Sequence, residues 1–312
     1  MNIPEKCDIA IIGGGPAGST AATMLSQKGY DVVLFDKVSH PRYQVGESLI
    51  PHFWKFCEAT GVDRKIDEEG FIEKSGGTVV WDGVIRQIAF KDFGYKRPAL
   101  HIERDRFDYI LLDYAKESGA TVFENVTVLE ANIHDDINKR SVSYRVNDDK
   151  AVGNLSCRYI IDGSGQNALI SKQLGIREID PEFRFMSVWG YFKNSKYFAL
   201  DGKAYSFDNL REIPPTTFVT STSGWGWSWH IPLRENTSVG LILPKDEMQS
   251  VKQSEEALED YFLRRCKEIP YLTQLLENAD YEENFHGIKD NSYRPQRLEG
   301  PGYLLCGDAA AF

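Results

Sequence analysis

Three observations in the sequence predict an α/β fold in which a doubly wound, mostly parallel sheet is interrupted by an inserted antiparallel sheet. The first 37 residues run as an apolar strand, a glycine turn, an Ala-rich helix and a second apolar strand, which is a βαβ unit. Two later apolar runs end in Asp162-Gly163 and in Gly307-Asp308. Between them, residues 183–244 change to period-two alternation, the pattern of strands with two unlike faces. A chain of 312 residues also exceeds the roughly 250–300 at which one core stops growing, so two parts are expected.

The βαβ unit is "CDIAIIGGGPAGSTAATMLSQKGYDVVLFDK", residues 7–37. Gly13, Gly15 and Gly18 fit G-x-G-x-x-G: the first allows a tight turn, the second admits a pyrophosphate, and the third lets helix and strand approach. Pro16 and Ala17 then open the helix, whose unpaired N–H groups and dipole favour an anion. Asp36, followed by Lys37, ends the second strand, and a carboxylate there accepts from ribose hydroxyls while repelling a 2'-phosphate. A dinucleotide site follows, and NADP is disfavoured. The glycine pattern does not choose between NAD and FAD.

Residues 101–131, "HIERDRFDYILLDYAKESGATVFENVTVLEA", read as a helix with a periodic apolar face and then a strand. "CRYIIDGSGQNA" (157–168) and "GPGYLLCGDAAAF" (300–312) are further strand ends, the second followed by alanines that read as a helix start. A buried Asp at such an end needs a partner, and a ribose or ribityl hydroxyl is a good one. Three strand ends converging on one ligand favour FAD. In "GWGWSWHIPL" (224–233), strand periodicity places Trp225, Trp227, Trp229 and Ile231 on one face. That face either packs on a core or lines a pocket for a flat ring. "SEEALEDYFLRRCKEI" reads as a helix capped by Ser254. The predicted class is α/β, a doubly wound FAD/NAD(P)-binding domain with an inserted antiparallel-sheet substrate domain. Residues 1–82, 100–178 and 286–312 are assigned to the first part, and 83–99 with 179–285 to the second.

Composition excludes other classes. The 36 basic residues are scattered against 46 acidic ones, for a net charge of -10, which disfavours nucleic acid. No apolar run approaches the roughly 18 residues of a membrane span, so stable membrane insertion is not expected and the chain reads as cytoplasmic. The five cysteines show no C-x-x-C spacing, so no metal is expected and they read as reduced packing residues. His101 and His230 lack partners at ligand spacing and read as structural.

"PRYQVGESLIP" (41–51), "GFIEKSGGTVVWDG" (70–83), "WSWHIP" (227–232) and "DNSYRPQRLEGPGYLLCGDAAAF" together resemble the FAD-dependent oxidoreductases of the aromatic hydroxylase fold, and among them the flavin-dependent halogenases. The resemblance spans nearly the whole chain. It implies that Lys74 is the catalytic lysine and that Trp227 and Trp229 belong to the W-x-W-x-I-P wall between flavin and substrate. It further implies that Arg42, Glu47 and Ser48 lie in a loop beside the flavin, that Arg104 contacts it, that Val128 lies near the adenine, and that Asp162 and Asp308 complete the site. Reduced flavin and oxygen would oxidise halide to hypohalous acid, which Lys74 delivers to an electron-rich aromatic substrate, free or carrier-bound. Lysine suits this because burial lowers its pKa and frees a nucleophilic amine. There is no second glycine motif for NAD(P)H, so a partner flavin reductase would fit, as in two-component systems, with direct reduction by transient NAD(P)H, as in the related hydroxylases, as the alternative. The sequence ends at Phe312, before the family's Asp-Pro and small-residue turn, so no halide ligand is assigned and a fragment is expected. A reductase similar to the geranylgeranyl reductases, an aromatic monooxygenase, and a flavin-binding protein without turnover are the alternatives.

Overall fold

The structure, a computed structural model, describes residues 2–147, 149–222 and 224–312. Ser223, inside the predicted strand run, lies outside them. Lys6–Ile12 sits centrally in a parallel sheet ordered Tyr303–Leu305, Gly153–Asp162, Lys6–Ile12, Val32–Phe35, Thr121–Phe123. Their central segments, residues 9–12, Val32–Phe35 and residues 160–161, are apolar because both faces are covered there, whereas Asn154, Ser156 and Arg158 on the outer part of Gly153–Asp162 are exposed. The helices Pro16–Gln27 and Arg104–Glu117 lie over Ile11 and Leu34 on one side, while Val126–Asn132, Ser141–Val146 and Leu169–Gln173 cover Ala10 and Val33 on the other. Each fully buried Leu or Ile contributes about 1.5–3 kcal/mol. Register matters most for function. Ile12 pairs with Phe35 and with Asp162, and Asp162 pairs with Leu305, so the glycine turn, Asp36, Gly163 and Cys306 leave the sheet along one edge. Ligands bind at this carboxyl edge of open α/β sheets.

The second sheet runs Asp280–Tyr281, Arg177–Lys193, Thr237–Pro244, Trp227–Pro232, Thr216–Ser221, Gly76–Trp81, Val84–Ala89, with His286–Pro295 also paired to Arg177–Lys193. It is antiparallel except where Thr216–Ser221 meets Gly76–Trp81. Two of these strands, Gly76–Trp81 and His286–Pro295, fall in the stretches assigned above to the cofactor domain. Alternation then gives the sheet two unlike faces. Val188, Phe218, Val239 and Leu241 face the helices that carry Phe262 and Leu272. Trp189, Trp229, Ile231 and Ile242 face the other way, against Val45 of the first domain.

Three local expectations are corrected. Trp225 is not in the tryptophan row: the strand begins at Trp227, the Thr222 N–H donates to the Gly226 carbonyl, and Trp225 sits at the hairpin tip, 68 % exposed. Gly224, at φ +57°, supplies the left-handed turn there. Ser254 ends the helix Lys245–Gln253, and the next helix, Leu258–Glu268, is preceded by Ala257. The alanines after Asp308 form only a 3-10 turn, Gly307–Ala309.

Trp229 reaches across its neighbour strand because position 240 is glycine. A Cβ there would lie 2.1 Å from the indole ring. Gly240→Ala is therefore expected to destabilise the protein by about 1–3 kcal/mol, the usual range for an overpacked core. Denaturant unfolding with tryptophan fluorescence checks it.

Candidate active site

The strand-end edge opens into a cavity of about 1090 Å³. Gly13, Gly15, Pro16, Ala17, Asp36, Lys37, Arg42, Arg104, Val128, Gly163, Gly307 and Asp308, all anticipated from sequence, line it. Gly13 takes φ +97°, and a Cβ on Gly18 would lie 1.9 Å from the Gly13 carbonyl, so Gly18 serves close packing rather than ligand contact. The helix that follows has no side-chain cap, which leaves its first N–H groups for an anion. Arg42 lies over this turn, with its Nη2 3.3 Å from where a Gly15 side chain would begin. Asp36 accepts from the N–H of Gly14 at 2.6 Å and of Val38 at 3.0 Å, which fixes its carboxylate at the cavity wall. Arg104 donates to both oxygens of the buried Asp108, at 2.8 and 3.0 Å, and Arg42 approaches the same carboxylate at 3.4 Å. The two guanidiniums and Lys37 put positive charge on this part of the wall, alongside the carboxylates of Asp36 and Asp308 that line the same cavity. The uncapped helix, the two guanidiniums and a cavity of this volume together fit FAD.

Asp162 departs from expectation. It is fully buried, and its oxygens accept from the N–H of Ser164 at 3.0 Å and of Ile170 at 2.7 Å. It shapes the turn instead of meeting a ligand hydroxyl. Glu47 and Ser48 also do not line the cavity, although Tyr43, Gln44, Gly46 and Leu49 of the same segment do. Tyr43 was missed even though it stands in the quoted stretch. The Trp189 N–H donates to its hydroxyl, which hydrogen-bonds the Tyr191 hydroxyl at 2.8 Å, and Tyr191 donates to Glu47 Oε1 at 2.6 Å. Burial pushes the Glu47 carboxyl up to about 7.

Lys74 lies on the far side of this segment. Ile72–Lys74 pairs with Ala99–His101, and that strand's other edge takes residues 47–49 through the Leu49 N–H to Leu100 and the Ile102 N–H to Glu47. Ser48 is thereby brought to Lys74, whose Nζ donates to Ser48 Oγ at 2.6 Å and to Thr217 Oγ1 at 3.0 Å. Lys74 is 3 % exposed, and burial without an opposing charge lowers its pKa to about 7. Thr217 had no signal in sequence. Trp227 is half-buried and Trp229 buried, with ring centroids 5.9 Å apart, and Trp229 meets Trp189 at 6.4 Å. This aromatic face abuts Val45, in the segment whose Tyr43, Gln44, Gly46 and Leu49 line the cavity. His230 points to the helix-covered face, where burial lowers its imidazole to about 3. All five cysteines are free.

A doubly wound sheet with this cavity defines a dinucleotide-binding α/β protein. The chain belongs to the FAD binding domain family, which matches residues 6–310. It is 33% identical over 326 residues to the flavin-dependent halogenase armH1 of Armillaria mellea, covering 99% of this chain and 61% of that protein. It is 30% identical over 316 residues to a tryptophan 2-halogenase of Chondromyces crocatus, covering 100% of this chain and 58% of that protein. The chain thus spans about six tenths of the length of these relatives. Among solved structures, the chondrochloren halogenase CndH, of myxobacterial origin, superposes with a TM-score of 0.86 at 29% identity, over 99% of this chain and 69% of that one. The flavin-dependent halogenase CmlS does so at 0.85 and 27%, over 98% and 54%. No helix among the described residues is long and apolar enough to cross a membrane.

Two substitutions separate ligand contact from turn geometry. Arg42→Ala is expected to weaken FAD binding roughly tenfold or more, as for a charge-assisted hydrogen bond of about 1.5–3 kcal/mol. Asp162→Ala is expected to lower stability, because two buried N–H groups lose their acceptor. FAD titration by fluorescence and thermal unfolding distinguish them.

Proposed function

We propose that this chain is the catalytic part of a flavin-dependent halogenase that acts on an electron-rich aromatic substrate. The carrying observation is Lys74: a nearly inaccessible amine with no counter-charge among the described residues, separated from the cofactor cavity by one segment. The halogenase names of its relatives support the same reading. Bound reduced FAD, with oxygen, supplies the oxidising equivalents that convert halide to hypohalous acid. The free Lys74 amine attacks the halogen, and hydroxide leaves with the amine proton as water. A ring carbon of the substrate then takes the halogen from the N-halo lysine, and the ring proton returns to the amine. Trp227 and Trp229 stand as the wall that keeps substrate from the cofactor. Arg42 and Arg104 hold the cofactor's charged portion, and Asp36 its ribose. A partner flavin reductase delivers the electrons, and the free cysteines suit a reducing, cytoplasmic setting. The substrate is a small aromatic molecule, free or carrier-bound.

Lys74→Ala is expected to abolish halogenation of aromatic candidates supplied with flavin reductase, oxygen and bromide, while FAD binding stays unchanged. Lys74→Arg should not rescue, since guanidinium stays protonated. Mass spectrometry of products checks both, and an alanine variant at the wild-type rate removes the lysine from the mechanism. The free-amine fraction grows as pH rises, so the rate should increase through about pH 7.

Replacing Trp229, which is buried, by Ala should cost about 3–5 kcal/mol. If the row is a wall, the half-buried Trp227→Ala should instead release hydroxylated product at a smaller cost in stability. Destabilisation with unchanged products would leave the row a plain core.

A further inference from the structure

Resting on the reading of Lys74 as halogen carrier, we infer that His101 and Thr217 are positioning residues that keep the Lys74 lone pair unoccupied. The polarity of every bond in the cluster follows from one group that can only accept. The Pro232 carbonyl lies 2.9 Å from His101 Nδ1, so Nδ1 carries the proton and donates. In a neutral imidazole, Nε2 is then an acceptor, and it takes the Thr217 hydroxyl hydrogen at 2.8 Å. His101 is neutral because it is fully buried, which holds its pKa well below the usual value.

With its only hydrogen committed to His101, Thr217 can meet Ser48 only as acceptor. Ser48 therefore donates in their 2.8 Å contact. Ser48 has then used its own hydrogen, so both hydroxyl oxygens face Lys74 as acceptors, at 2.6 and 3.0 Å. The two N–H groups of the neutral amine are spent on these oxygens. Its lone pair receives no hydrogen bond from them and is free for an electrophile.

The remaining surroundings do not alter this assignment. The Phe90 ring, whose centroid is 5.4 Å from Nζ, offers no donor. His230 is the other titratable group acting on His101, and burial lowers its own pKa to about 3, which keeps it neutral. Glu47, beside Ser48 in the chain, is turned to Tyr191. The His101 ring is held at both nitrogens in a chain that ends on the reactive amine.

Removing either member is expected to free a hydroxyl hydrogen for the amine lone pair. In His101→Phe the Thr217 hydroxyl is released, and in Thr217→Val the Ser48 hydroxyl loses its acceptor. Thr217→Ser keeps the chain intact. The test measures the pH dependence of Lys74 carbamoylation by cyanate in the FAD-loaded protein without halide, read by peptide mass spectrometry. The high-pH plateau reports the intrinsic reactivity of the neutral amine, independent of its pKa. It is expected to fall roughly two- to tenfold in His101→Phe and Thr217→Val, the size of one net hydrogen bond, and to stay within about twofold of wild type in Thr217→Ser. A wild-type plateau in either of the first two variants, or a Ser variant that falls as far as Val, overturns the inference. Because the readout is the amine itself, it is independent of whether Lys74→Ala still halogenates, so the two proposals fail separately.

Discussion

A primary amine buried with no carboxylate beside it among the described residues is the constraint on which the rest of the site depends. Charged lysine in such a place costs several kcal/mol of desolvation unless paired, and the group responds by releasing its proton. Two hydroxyl side chains from separate parts of the chain hold Lys74 in place of a counter-ion, and His101 fixes one of them. Ser48 arrives with the segment that borders the cofactor cavity, Thr217 with a strand of the second sheet, and His101 from the strand paired to that of the lysine. None of them neutralises a positive charge. The same arrangement that lowers the pKa also orients what remains.

Residues 43–49 join the two halves of the molecule. On one side they line the cavity through Tyr43, Gln44, Gly46 and Leu49; on the other they give Ser48 to the lysine and Glu47 to Tyr191. Val45 packs into the aromatic face that Trp229 and Trp189 form across Gly240. The segment that lines the cavity is thus also the one hydrogen-bonded to the amine. Trp229 packs closely over Gly240 behind it.

Much of this was legible in the sequence, and the reasons differ by residue. The glycine turn, Asp36 and the two later strand ends were readable because their roles follow from local backbone and short spacing. Lys74 and Arg104 were readable only through resemblance, since a lone lysine before a strand carries no local signal. Trp225 misled because strict alternation was extended back from Trp227 past Gly226 into the hairpin turn, where Gly224 takes a left-handed backbone. Asp162 misled because a buried carboxylate at a strand end was matched to a ligand when two nearby N–H groups were available. Thr217 and the role of His101 were invisible: they are defined by contacts across 143 and 116 residues of sequence, and neither residue type announces itself.

The state of the Lys74 amine can be observed directly. Nitrogen-15 NMR of the lysine Nζ groups, followed from pH 5 to 11 and assigned by its disappearance in Lys74→Arg, reports the ionisation of each side chain. The account predicts one resonance that titrates near pH 7, far below the ordinary lysine value of roughly 10.4. If the resonance lost in Lys74→Arg titrates near 10 with all the others, the amine is charged at neutral pH and the account is contradicted.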